Sequence, residues 1–153
     1  MGAIIMGRRA VACLLGVYLG VLSLIAFWPS PVDRPYDGQL SRLLQALHRH
    51  GFPVWFDYGF VESASNVLLF VPFGFLMAVW LGRRSWWAAM IIGCAASCSI
   101  ELGQLIFLSA RTASVADVAV NTAGAVLGAL MARAFLGVVR RRRQRTVAAR
   151  SAS

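Results

Sequence analysis

"SIELGQLIFLSARTASVADVAVNTAGAVLG", residues 99–128, sets Glu101, Gln104, Asp117 and Asn121 inside two hydrophobic runs, with Arg111 in the short gap between them. In water such residues are ordinary. In a bilayer they are costly, about 2.5–3.5 kcal/mol for a charge near the centre on insertion scales. Which solvent surrounds them decides the fold, and the rest of the chain answers that.

The 153 residues are 59% hydrophobic and only 14% charged, more apolar and less charged than a soluble domain. All 15 basic residues are Arg, and the formal net charge is +9. In a soluble protein that excess would suggest nucleic acid. Here the arginines flank apolar runs, so the positive-inside rule accounts for them and no nucleic-acid partner is expected.

Four runs are long enough to span about 30 Å of hydrocarbon: about 10–28, 64–82, 86–108 and 114–139. The first follows Arg8-Arg9 and ends in Ala26-Phe27-Trp28-Pro29 without a small-x-small cleavage pattern, so it reads as an uncleaved anchor. Arg83-Arg84 separate the second run from the third, a connection that demands a tight reversal. The expected fold is all-α, an antiparallel bundle of four transmembrane helices. With the N-terminus inside, eleven arginines (8, 9, 83, 84, 133, 140–143, 145 and 150) lie on the cytoplasmic side and four (34, 42, 49 and 111) outside. This places both termini in the cytoplasm of a multi-pass plasma-membrane protein. The Arg-rich segment 140–153 then forms a cytoplasmic tail in reach of anionic headgroups.

In the first extracytoplasmic loop, Leu40, Leu43, Leu44 and Leu47 recur at helical spacing, with Asp37 at the cap position and Gly51 and Pro53 as stops. A short amphipathic helix lying in the outer interface or covering the mouth of the bundle is expected there. His48 and His50 flank Arg49 without supporting ligands, so they read as a solvated helix end and no metal site is expected. Cys13, Cys94 and Cys98 all lie inside hydrophobic runs and read as small packing residues.

The topology gives the polar residues a common level. At 1.5 Å per residue, Glu101 lies about 10 Å below the outer end of the third run and Gln104 about 6 Å. Asp117 and Asn121 lie about 5 and 10 Å below the start of the fourth, and Asn66 about 3 Å below the start of the second. Asp117, Asn121, Gly124 and Gly128 share a stripe about 60° wide, and Cys94, Ser97, Glu101 and Gln104 share another. These two stripes are expected to pack on each other, with Asn66 joining from the second helix. Gly124 and Gly128 form a GxxxG pair suited to close approach. Pro72 and Gly74, in "FVPFGF", are expected to bend or loosen the second helix.

At these residues the chain resembles the VanZ-like family of small bacterial membrane proteins. The resemblance rests on "ESASNVLLFVPFGFLMAVWL" (62–81) and "SIELGQLIFLSARTASVADVAVNTAGAVLGAL" (99–130). The matching positions are Asn66, Leu69, Phe70, Pro72, Gly74, Phe75, Glu101, Gln104, Arg111, Asp117, Asn121, Thr122 and Gly124. It implies one VanZ-like transmembrane domain over residues 1–139, with its core motif region at 62–131. The family's founding members are associated with resistance to the glycopeptide teicoplanin, which acts on cell-wall precursors outside the membrane. The resemblance therefore implies a role at the cell envelope.

Three functions follow as expectations. In the first, Asn66, Glu101, Gln104, Arg111, Asp117 and Asn121 bind a membrane lipid or lipid-linked envelope precursor, with no cofactor. In the second, Glu101 and Asp117 divide acid and base roles in a membrane enzyme, although no Ser-His-Asp set or HExxH motif accompanies them. The third is a small transporter, which the uniformly apolar inner halves of the helices disfavour. A purely structural use of the same side chains, as hydrogen-bonding glue between helices, stands beside all three.

Overall fold

The computed structural model describes residues 2–28, 37–108 and 114–151, and every regular element among them is helical. The α-helices are α1 (Gly2–Ala26), α2 (Asp37–Arg49), α3 (Tyr58–Leu81), α4 (Trp86–Phe107) and α5 (Val115–Ser151). One turn of 3-10 helix, Arg83–Ser85, joins α3 to α4. Four stretches are long and apolar enough to cross a membrane: Gly7–Ala26, Tyr58–Leu81, Arg83–Phe107 and Val115–Arg142. The chain is a helical membrane protein with a short helix between its first two spans, as the hydropathy pattern anticipates.

Three helices outrun the apolar runs that announce them. α1 begins at Gly2 rather than near Ala10, and α5 continues through the Arg-rich segment to Ser151 instead of yielding to a separate tail. α3 begins at Tyr58, six positions before the expected Ala64, because Asp57 caps it: its carboxylate accepts from the Phe60 N–H at 2.9 Å. The intervening polar residues tolerate the helix, since the Ser65 hydroxyl donates back to the Val61 carbonyl at 2.7 Å. Hydropathy stops at a charge; backbone hydrogen bonding does not.

The reversal after α3 works through Gly82. Its φ of 88° lies in the left-handed region, where a side chain would strain the backbone, and its N–H closes the helix onto Ala78 at 2.9 Å. In α2, Leu44 is buried while Leu40 and Leu47 are half-buried, so the amphipathic pattern operates, though Leu43 remains exposed. His48 and His50 are not simply solvated. The His48 Nε2 faces the Phe56 carbonyl at 3.1 Å and the His50 Nδ1 faces that of Ala46 at 2.7 Å, so each facing nitrogen must carry the proton.

The tightest packing joins α3 to α5, two parallel helices separated in sequence by α4. A Cβ on Gly124 would overlap the Val67 carbonyl oxygen, and one on Gly128 the Val71 carbonyl oxygen; a Cβ on Gly74 would overlap that of Ala125. Backbone thus meets backbone, at the spacing that permits Cα–H···O contacts. This corrects the expected pairing: the GxxxG edge of α5 faces α3, while Asn121 and Ala125 reach α4. Gly93 of α4 leaves the space that the Ala125 methyl occupies.

Ala125, Ala129 and Ala132 are fully buried in the resulting core, with Phe70, Phe73, Met77, Ala78 and Ala89. α1 adds Leu15 and Leu22, and its Tyr18 hydroxyl donates to the Leu69 carbonyl of α3. Pro72 is exposed on the far side of α3, which runs through it as unbroken helix. Of the three free thiols only Cys94 is partly buried; Cys13 and Cys98 are exposed on the helix surface rather than packed within the bundle.

Candidate functional site

Three helices bring polar side chains to one end of this bundle and α1 adds a backbone carbonyl; the linking geometry starts at the first turn of α5. Ser114-Val115-Ala116-Asp117 has the form of a capping box, in which the first hydroxyl accepts from the N–H three residues on. The Ser114 Oγ accepts from the Asp117 N–H at 3.3 Å. In an isolated box the acid would reach back to the Ser114 N–H. Here Glu101 of α4 takes that donor, its Oε2 accepting at 2.8 Å. Asp117 is released to another partner: its Oδ1 accepts from the Asn66 Nδ2 of α3 at 3.2 Å.

One carboxylate therefore satisfies the start of α5, and the other ties α5 to α3. Each is a reasonable place for negative charge, because the orphan N–H groups of a helix start carry partial positive charge. Glu101 is only 8% exposed, so a directed donor, the Ser114 N–H, meets its carboxyl group where solvent barely reaches.

Gln104, one turn beyond Glu101, serves the opposite kind of terminus. Its Nε2 donates to the Ala26 carbonyl at 2.7 Å, one of the acceptors left free where α1 ends. Beside it, a Cβ on Gly103 would stand 2.7 Å from the Phe27 ring, so the missing side chain seats that ring. Together they fix the end of α1 to the end of α4.

Below this tier sits a second. The Asn121 Nδ2 donates to the Ser97 Oγ at 3.0 Å, linking α5 to α4 within the core. Asn121 is 5% exposed and Ser97 fully buried. The Asn121 Oδ1 and the Thr122 Oγ1 are buried without a hydrogen-bond partner among the described residues. Because a hydroxyl both donates and accepts, turning the Asn121 amide over would exchange the satisfied end without satisfying both. Leaving such an atom unpaired costs about 1–3 kcal/mol.

Asn66, Glu101, Gln104, Asp117 and Asn121 thus share one region, in two connected tiers, while Arg111 lies outside the described residues. Asn66 sits deeper than its sequence run suggests, about 12 Å from the start of α3, because that helix begins at Tyr58. Gly74, Gly124 and Gly128 belong to the packing seam beneath, and Pro72 touches neither. Ser114 and the Ala26 carbonyl were not among the expected site groups. The first is signalled by the Ser-x-x-Asp spacing; the second has no sequence signal, being a backbone atom. No group of three or more metal-ligating side chains gathers among the described residues.

A family model described as VanZ/LLP1 matches residues 15–136, a span containing every one of these side chains. No curated protein and no solved structure matches the chain.

Proposed function

The chain belongs to the VanZ/LLP1 family, and on that premise we propose that this multi-pass membrane protein binds the polar headgroup of an envelope lipid or lipid-linked cell-wall precursor at the two-tiered polar end of its bundle. The observation that carries the proposal is the buried Asn121 Oδ1, left without a partner among the described residues in a layer where neighbouring amides and carboxylates are hydrogen-bonded. A layer serving cohesion alone would gain by pairing or removing that atom; a binding layer gains by keeping it.

The arginine distribution supports an extracytoplasmic setting for this end. With both termini in the cytoplasm of the plasma membrane, the polar tiers face the outer leaflet, where envelope precursors are displayed. In this reading Asp117, Asn66 and Asn121 offer hydrogen bonds to the headgroup. Glu101 and Gln104 chiefly hold the helix ends that shape the site. Arg111, three positions from both Leu108 and Ser114 in sequence, supplies the countercharge for a phosphate or carboxylate. A contribution to glycopeptide (teicoplanin) resistance would follow if the ligand is a cell-wall precursor.

The test is lipid identification by mass spectrometry on gently purified protein. Wild-type protein is expected to carry one enriched envelope lipid, and Arg111→Ala/Asn121→Ala, still inserted and monodisperse, is expected to lose it. An identical lipid profile in the two proteins sinks the proposal.

A further inference from the structure

The opposite end of the bundle carries a second concentration of chemistry, which the polar tiers do not explain. Arg83 and Arg84 from the turn after α3, with Arg133 and Arg140 from α5, surround Trp86 in a cleft of about 270 Å³. A wider groove of about 630 Å³ continues along α5 past Gly137 and Arg141. Arg133 lies within the stretch of α5 apolar enough to cross a membrane, beside the fully buried Ala132. Its guanidinium carbon sits over the Trp86 ring at 4.9 Å from the centroid. Such stacking orients the planar group by its face and leaves its in-plane N–H donors directed outward.

Counterions for this cluster do not come from nearby protein among the described residues. All six acidic residues of the sequence lie between positions 33 and 117, and none falls in the turn or in the second half of α5. Among the described residues no carboxylate pairs with Arg83, Arg84, Arg133 or Arg140. Four like charges held around one concavity repel, and an anion seated among them would relieve that repulsion. The level suits a headgroup: Trp80, Trp86 and Trp87 cluster at this end, and Arg8 of α1 lies 6.0 Å from the Trp80 ring centroid.

We propose that the cleft between the α3–α4 turn and α5 is a binding site for an anionic phosphate group, seated by Arg83, Arg84, Arg133 and Arg140. Phosphate matches the planar two-donor fork of each guanidinium. A topology signal alone would need the charges on this side but no particular arrangement of them, and the experiment separates the two.

Full-length protein in neutral detergent is titrated with phosphatidylglycerol and, separately, with phosphatidylcholine, bound lipid being counted by native mass spectrometry. Phosphatidylglycerol is expected to bind at one site about tenfold or more tighter than phosphatidylcholine, about 1.4 kcal/mol. Arg83→Ala/Arg133→Ala is expected to erase that preference. Arg9→Ala/Arg145→Ala, which removes the same charge elsewhere, is expected to preserve it. Equal losses in both variants, or a loss in neither, overturns the site. Should the first variant aggregate, Arg83→Lys/Arg133→Lys decides: it keeps the charge without the planar forks, and undiminished preference there also overturns the site. Inorganic phosphate added at millimolar concentration distinguishes the source. Displacement of the lipid identifies a soluble phosphate as the occupant, and retention identifies the lipid headgroup. The polar tiers at the other end are untouched by these substitutions, so either site can fail alone.

Discussion

The two ends of this bundle solve opposite problems. At one end Glu101 and Asp117 are drawn into the helices and held by donors the fold itself provides: the Ser114 N–H and the Asn66 amide. At the other, Arg8 and Arg133 lean on tryptophan rings, and Arg83, Arg84, Arg133 and Arg140 find no carboxylate among the described residues. The difference follows from side-chain length. A carboxylate on a short stem cannot reach water from within a helix bundle and must be satisfied internally, whereas Arg has the length to carry its charge out to the interface. One end is therefore self-satisfied apart from Asn121 and Thr122, and the other is open to an external anion.

The most severe way to break this contrast is to pry apart the seam both ends share. Gly128→Val would drive a side chain into the Val71 carbonyl and the Phe75 N–H, backbone atoms that cannot move aside. A loss of about 3 kcal/mol or more is expected, seen as aggregation on size exclusion or a collapsed thermal midpoint. Near-normal stability would mean that α3 and α5 do not touch there.

Cutting the polar end alone should cost less. Glu101→Ala strands the Ser114 N–H and removes a charged acceptor, for about 2 kcal/mol by thermal unfolding in detergent, and Glu101→Gln should recover part of that because an acceptor remains. If alanine and glutamine behave alike, the carboxylate is not capping α5.

Smaller still is Gln104→Leu, which frees the Ala26 carbonyl. About 0.6 kcal/mol is expected, with faster hydrogen exchange confined to the last turn of α1. Protection unchanged in that turn would show that the Phe27–Gly103 contact holds it without help.

The gentlest change sharpens the comparison. Arg133→Ala at the open end should alter stability, read by thermal unfolding, by about 0.5 kcal/mol, since an exposed cation–π contact is all it removes. A large loss would place Arg133 in the core's stability rather than at a binding rim.

Much of this was legible in the chain. The four spans, the tight reversal at Arg83-Arg84 and the leucine-spaced helix follow from hydropathy, length and helical spacing, because those depend on neighbours in sequence. So does the shared level of Glu101, Gln104, Asp117 and Asn121, which needs only a fixed rise per residue. Other features were out of reach for a common reason. A stripe of Asp117, Asn121, Gly124 and Gly128 says which face of a helix is small and polar, not which helix covers it. The face divides, its glycines going to α3 and Asn121 to Ser97 of α4. Likewise the apolar runs could not show α3 starting at Tyr58, because its first turns are secured by the Asp57 cap rather than by hydrophobicity.

The amino-acid sequence by itself determined that this is a helical membrane protein, how many times the chain can cross and at which turns of the helices its polar residues stand. Those properties sum over residues one at a time. Tertiary structure alone decided that Glu101 serves Ser114, that Asp117 is thereby free for Asn66, and that Asn121 keeps one buried atom unpaired among the described residues. Hydrogen bonding is exclusive: a donor given to one acceptor is lost to another, and that allocation is settled only when the helices have come together.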